Sequence, residues 1–276
     1  MGVPLISGLG DLVVSPYRVL VSQGSTIGLF VRRDVRSRYV NSFLGLTWAV
    51  VQPLALLALY TFVFSYVLQV RFTRDGSPAE FALYLFCGML PWLAFSDGLT
   101  RATSVIVDRA PLIKKVRFPS EVLPVSAVVS ALVVEALGLA VLLVAAGVLH
   151  RGVGWSLLAL PVVIGLQLLF TLGLAWLLAS VSVLVRDLRH VVGLALTVGM
   201  FLTPIMYPPA LVPEPFRWVL DLNPMFHVVQ AYRDIVLDRM LPATRDLAIL
   251  AVAAFIAATV GHHVFMRSKR WFVGLL

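Results

Sequence analysis

Residues 39–70 run for 32 positions without a single Asp, Glu, Lys or Arg, and the cationic segment VRRDVRSR, residues 31–38, comes directly before them. A helix of about 20 apolar residues crosses the hydrocarbon core of a bilayer, so a run this long reads as a membrane span. Arginines packed against one end hold that end on the cytoplasmic side. The chain is therefore expected to be an integral membrane protein. Composition agrees, with 60% hydrophobic and 13% charged residues in 276, whereas a soluble domain carries about 25% charged residues.

Five further apolar segments follow, at 81–105, 122–148, 155–185, 191–207 and 247–266. Backbone groups in lipid must be satisfied within the segment or in a closed barrel. Barrel strands alternate in polarity over about ten residues. Residues 131–145 are apolar all round apart from Glu135, so the segments read as helices. The expectation is an all-α permease domain over 1–276 with six transmembrane helices. Pro91, Asp97 and Arg101 interrupt the second span; Asp97 and Arg101, four residues apart, are expected to pair. Glu135 lies mid-span, where a carboxylate is costly. It is protonated, in a pathway, or paired across a helix contact, and pairing ranks first.

Loop charge gives the orientation. With the N-terminus inside, 15 of the 22 Lys and Arg residues fall on the cytoplasmic side and 7 outside, which places both termini in the cytoplasm. The net charge of +8 and pI near 10.1 are then a topology signal rather than a sign of nucleic-acid binding. The single cysteine, Cys87, lies in a span and excludes an intrachain disulfide. The first 40 residues lack the apolar core and cleavage site of a secretory signal, so no cleaved signal is expected.

Three segments fall outside the simple spans. In residues 24–41, Ile27, Phe30, Val31, Val35 and Tyr39 share one half of a helical wheel, and Arg32, Arg33 and Arg36 the other. Asp34 and Arg38 are spaced to pair. This reads as an amphipathic helix on the inner leaflet: a basic anchor, or a surface for an anionic head group or a cytosolic partner, since guanidinium forks suit phosphate oxygens. Residues 107–120 form a cytosolic loop. Pro111 suits the first turn of a short helix, and Pro119 and Pro124 predict a stiff, extended exit. It is an ordinary positive-inside loop or a lever that receives force from a soluble motor. The outer region 203–246 holds Pro204, Pro208, Pro209, Pro213, Pro215, Pro224 and Pro242. Asn223-Pro224 reads as a helix N-cap with proline at the first position. Met225, Val228, Val229, Tyr232, Ile235 and Val236 then recur at helical spacing, while His227 and Arg233 take other positions. These pieces are too short to span and read as re-entrant or interfacial helices. Phe216, Trp218, Phe226 and Tyr232 are belt aromatics, or apolar platforms for sugar rings at an exit.

The chain lacks G-x-x-x-x-G-K-[ST], H-E-x-x-H and G-x-S-x-G, so no phosphate loop, zinc-protease helix or nucleophile elbow is expected. His262 and His263 lack the further ligands of a metal site, and no metal site or catalytic cluster is predicted.

Arg33-Asp34, Arg38-Tyr39 and Ser42-x-Leu44-Gly45-x-x-Trp48-x-x-x-x-Pro53 open the first span. Lys115-x-x-Phe118-Pro119-x-x-x-Leu123-Pro124, Arg186-Asp187-x-Arg189-His190, Pro204-Ile-x-Tyr207 and Leu222-Asn223-Pro224 follow in order. Together they resemble the permease subunits of ATP-binding-cassette (ABC) polysaccharide exporters, the family of O-antigen, capsule and teichoic-acid export, and most of all its O-antigen members. The resemblance implies a homodimer in the bacterial inner membrane, joined to two copies of a separate ATPase that carries ATP and Mg, with no cofactor on this chain. It implies a polyprenyl-diphosphate-linked polysaccharide as substrate. It places Arg32, Arg33, Arg36, Arg38 and Tyr39 in the helix that borders head-group access. Asp108, Arg109, Lys114, Lys115, Arg117 and Phe118 fall in the ATPase-coupling segment, and Phe216, Trp218, Phe226 and Tyr232 at the exit. The alternatives are an ABC permease for drugs or small lipids, and a motor-free membrane transferase or scaffold.

Overall fold

Caps and prolines decide where the helices begin and stop. The computed structural model describes residues 16, 18–39, 45–67, 77–115, 119–149, 154–185 and 187–275, and every regular element among them is helical. In chain order these are α1 (Gly24–Tyr39), α2 (Trp48–Thr61), α3 (Pro78–Asp108), α4 (Ala110–Lys115), α5 (Val122–Leu149), α6 (Leu160–Ser182), α7 (Leu188–Leu202), α8 (Arg217–Asp221), α9 (Pro224–Val236) and α10 (Thr244–Ser268). Helix α3 opens on a capping box. Ser77 Oγ accepts from Glu80 N, and Glu80 Oε2 accepts from Ser77 N, both at 3.2 Å, with Pro78 in the first turn. This satisfies two of the donors every helix leaves open at its start.

Among the described residues four helical segments are long and apolar enough to cross a membrane: Pro78–Asp108, Val122–Val148, Trp155–Ser182 and Thr244–Trp271. The second expected span is thus the 31-residue α3, continuous through Pro91. Its Asp97 and Arg101 pair at 2.7 Å as the spacing predicts. Helices α2 and α7 are apolar but shorter, at 14 and 15 residues. Helix α2 runs on into a π-helical turn, Phe62–Val67; residues 40–44 and 68–70 of the first expected span lie outside the described residues. The fifth expected span, 191–207, stops as a helix at Leu202. Proline disfavours helical backbone in the residue before it, and Thr203, preceding Pro204, is extended at φ −90°, ψ 125°.

Helix α6 is the hub. It packs along α10 and also meets α3 and α5, while α3 packs against α5. Lipid tails give no hydrophobic drive between helices, so close approach through small residues and polar contacts holds a bundle together. At the α6–α10 crossing, a Cβ on Gly173 would run into the backbone of Ala257 and Ala258, and one on Gly261 into the backbone of Gly173. At the middle of the bundle Glu135 of α5 accepts from Gln167 Nε2 of α6 at 2.9 Å and from Tyr232 Oη of α9 at 2.7 Å. All three side chains are buried. Glu135 therefore takes the pairing role ranked first for it, and Gln167 also donates to the Pro91 carbonyl of α3 at 3.3 Å.

Helix α9 is inserted, with most of its residues buried, at the end of the bundle where α3 begins. Asn223 Oδ1 caps it by accepting from Met225 N at 3.0 Å, and Asn223 Nδ2 donates to Thr203 Oγ1 at 2.8 Å. The apolar positions read from the sequence are buried, but so are His227 and Arg233. Arg233 is accommodated because Nη1 and Nη2 donate to the carbonyls of Pro204 and Ile205, each at 2.9 Å, and its guanidinium stacks 3.6 Å from the Tyr84 ring centre.

Replacing Gly261 by Val should force α6 and α10 apart and lower the thermal unfolding midpoint of the detergent-solubilised protein. Gly165→Ala, at a site with open space, should leave it unchanged. A double-mutant cycle of Glu135→Gln and Tyr232→Phe should return a coupling of about 0.5–2 kcal/mol, the range of buried interhelical hydrogen bonds.

Candidate functional site

The basic end of the bundle gathers α1, the end of α3, α4 and the starts of α5 and α7. Helix α1 lays its apolar stripe inward: Ile27 is buried, and Phe30 and Val31 pack against the core. Arg32, Arg33 and Arg36 point the other way and are exposed. The expected Asp34–Arg38 pair does not form. Asp34 instead meets Arg109 at 3.2 Å, and Arg38 meets Asp97 at 2.7 Å and donates to Ser130 Oγ at 3.1 Å. The side chains of Arg38, Asp34 and Arg109 are only 8%, 17% and 27% exposed. Packing α1 onto α5 brings these tertiary partners nearer than the next turn of α1, and ion pairs shielded from solvent are screened less than exposed ones.

Arg38 thus belongs to a different group from its neighbours. It lines a cavity of ≈ 430 Å³ between α2, α3 and α5, with Gln52, Asp97, Arg101 and Glu135 among its polar walls and Pro53, Leu56, Leu90 and Leu93 among the apolar ones. Two guanidiniums share the Asp97 carboxylate on the wall of this cavity. Tyr39 is the last residue of α1.

The short helix expected around Pro111 forms as α4, with Pro111 in its first turn. Arg109 caps α3 and carries the Asp34 contact, so α4 and α1 are joined through one guanidinium. Asp108 accepts from Ser104 at 2.6 Å and meets Arg189, at the start of α7, at 3.4 Å. Lys114 is exposed, Lys115 ends α4, and Arg117 and Phe118 lie outside the described residues. The extended exit expected from Pro124 is not seen. Helix α5 already begins at Val122, with Pro124 in its first turn, where a missing N–H leaves no bond unmade. Glu121, just before α5, pairs with Lys269 after α10.

At the opposite, proline-rich end Phe216 and Trp218 are exposed and Phe226 is half-buried. Trp218 borders an apolar cavity of ≈ 540 Å³ with Trp92, Phe95 and Phe170. Tyr232, grouped with them in the sequence, sits instead inside the bundle with its hydroxyl on Glu135. The partners of Asp34, Asp108 and Glu121 were not foreseen, because the sequence shows no spacing between residues 75 or more apart. Gln167 was legible in principle as a lone amide within an uncharged run.

The sequence profile of the ABC-2 type transporter family matches residues 26–237. The chain is 34% identical over 244 residues to the O-antigen export system permease protein RfbA of Myxococcus xanthus, covering 88% of this chain and 92% of that protein. It is 26% identical over 250 residues to the RfbA protein of Klebsiella pneumoniae, covering 90% and 93%. It is 23% identical over 248 residues to the polysialic acid transport protein KpsM of Escherichia coli, covering 87% and 92%. The matched stretch takes in most of α1, the short helix α4 and the buried helix α9, and the chain belongs to the ABC-2 type transporter family as a transmembrane transport subunit, not an enzyme.

Proposed function

We propose that this protein is the permease of an ATP-driven exporter that moves a polyprenyl-diphosphate-linked polysaccharide of the O-antigen type across the bacterial inner membrane. It works as a homodimer bound to two copies of a separate ATPase, with both termini in the cytoplasm. ATP hydrolysis, with Mg, on that partner supplies the energy. Six crossings are built from the four long helices together with α2, extended through its π-helical turn over 48–67, and α7. The names of the M. xanthus and K. pneumoniae relatives, both O-antigen export permeases, support the substrate class.

The observation that carries the reading is the tie between Asp34 and Arg109. It joins the helix bearing the exposed arginine row to the segment that would receive the ATPase. A push on α4 is passed through Arg109 to α1, and through Asp108 to the start of α7. Helix α1 then shifts against α5 and α2. Arg32, Arg33 and Arg36 hold the lipid diphosphate at the inner leaflet by charge-assisted hydrogen bonds. The glycan leaves at the end that carries Phe216, Trp218 and Phe226.

Purifying a tagged chain from its native membrane and identifying what comes with it by mass tests the assembly. A stoichiometric ATPase and a bound lipid-linked glycan are expected; a chain that emerges alone after crosslinking overturns the reading. The double substitution Arg33→Ala, Arg36→Ala should cut export while the ATPase still assembles, and unaltered export in a correctly inserted protein removes the head-group role. Asp34→Ala removes one partly buried ion pair, a loss of about 1 kcal/mol, so folding should survive. ATP hydrolysis should continue while export per ATP falls.

A further inference from the structure

Far from the arginine row, at the proline-rich end, His227 is enclosed at the start of α9 with no side-chain exposure. Its Nδ1 lies 2.8 Å from Asp246 Oδ1, in the first turn of α10. Its Nε2 lies 3.0 Å from the main-chain oxygen of Asp221, the last residue of α8. Both of these oxygens only accept. A neutral imidazole has one N–H and can serve one of them; an imidazolium has two and serves both. We infer that His227 is a positioning residue that acts in its doubly protonated form, its two N–H groups holding α8, α9 and the start of α10 in one arrangement. This rests on the exporter reading for one point only, that this end is the exit.

The charged and titratable groups around the site leave this reading intact on every side. On α8, the Asp221 carboxylate turns to Arg245 of α10 at 3.1 Å, so Asp221 presents its carbonyl to the ring and its charge to the arginine. On α10, Asp246 is half-enclosed and aimed at Nδ1. On α9 itself, Asp234 accepts from Gln230 at 2.9 Å, two turns further on. Where α9 meets α3, Arg233 and Tyr84 face one another. Where it meets α5 and α6, Tyr232 is bonded to Glu135 and lies 3.2 Å from Gln167. Phe226 covers the ring from the side, with ring centres 5.2 Å apart. Among the described residues Asp246 supplies the one carboxylate within hydrogen-bond range of the ring.

The direction of the pH effect follows from the donors. With both protons in place, three elements are tied through one ring. With one proton fewer, one of the two oxygens loses its donor, and the ring ties α9 to α8 or to α10 but no longer to both. The arrangement is complete on the acid side and loosens as the medium becomes more basic. Because α8 carries Trp218 and follows Phe216 directly, the loosening falls on the exit aromatics.

The test uses the full-length transporter in nanodiscs with its native partners, followed by thermal unfolding across about pH 5–8. The wild-type midpoint should fall by about 2–4 °C as pH rises, a shift of the size one lost interaction gives in a chain of this length. His227→Gln, which keeps an amide donor but does not titrate, should be lower at acid pH and show no such slope. Asp246→Asn should also flatten the profile, because a neutral ring then suffices. An equal slope in wild type and His227→Gln overturns the proposal, as does a ring nitrogen found unprotonated at acid pH in ¹⁵N-histidine spectra assigned by the same substitution. Export measured in vesicles with the outer pH varied reads the positioning role itself. Wild-type export should depend on outer pH and that of His227→Gln should not. Identical export profiles, with the unfolding slope still traced to His227, would leave a structural clamp and overturn the transport role. The unfolding and spectroscopic readouts need no glycan, so their failure is distinct from failure of the exporter reading.

Discussion

A helix bundle in hydrocarbon gains nothing by burying apolar side chains against one another rather than against lipid, so its shape rests on the few contacts that lipid cannot imitate. In this protein a central group of those contacts runs through α6. Its Gly173 lets α10 approach to backbone distance. One turn and a half earlier, Gln167 reaches the Glu135 carboxylate and the Pro91 carbonyl. Near its far end Trp176 Nε1 donates to the Glu121 carbonyl at 3.2 Å and stacks edge-on against His262. A single apolar helix thus fixes α3, α5, α9 and α10 by one close approach and a ladder of polar side chains.

The two ends of this frame are finished with different chemistry. At the basic end, ion pairs link segments distant in sequence, Asp34 to Arg109, Arg38 to Asp97, Asp108 to Arg189 and Glu121 to Lys269. Such pairs tolerate sliding, since a guanidinium keeps most of its attraction over an ångström or so of displacement. At the proline-rich end, directional bonds dominate: Asn223 to Thr203, Arg233 to two carbonyls, His227 to Asp246 and Asp221. These are short and angle-dependent, so that end resists small displacements more than the ion-paired end does. The division suits a machine that takes up force at one face and presents a shaped opening at the other.

Much of this was legible from residue order because local physics wrote it. The apolar segments gave the four long helices, Asn223-Pro224 gave a cap and a first helical position, and the i,i+4 spacing gave the Asp97–Arg101 pair. What stayed hidden was tertiary choice. Asp34 has Arg38 one turn away and still takes Arg109, because α1 turns Arg38 towards α3 and α5. His227 and Arg233 read as polar-face residues of an amphipathic helix, and both are buried, since the neighbouring segments supply carbonyls and a carboxylate at those depths. Tyr232 kept the helical spacing expected of it but lost the exit platform to a bond with Glu135. The fifth span, expected over 191–207, stops at Leu202 ahead of Pro204, and nothing in its spacing told that the carbonyls beyond it would be claimed by an arginine from another helix.

That last arrangement bears on what the burial of α9 requires. Helix α9 carries a guanidinium that has no place in lipid until the carbonyls of Pro204 and Ile205 and the ring of Tyr84 stand ready to receive it. The seat of Arg233 is therefore complete only when the stretch that follows α7 and the start of α3 stand side by side, so the burial of α9 depends on two segments that lie far apart in the chain.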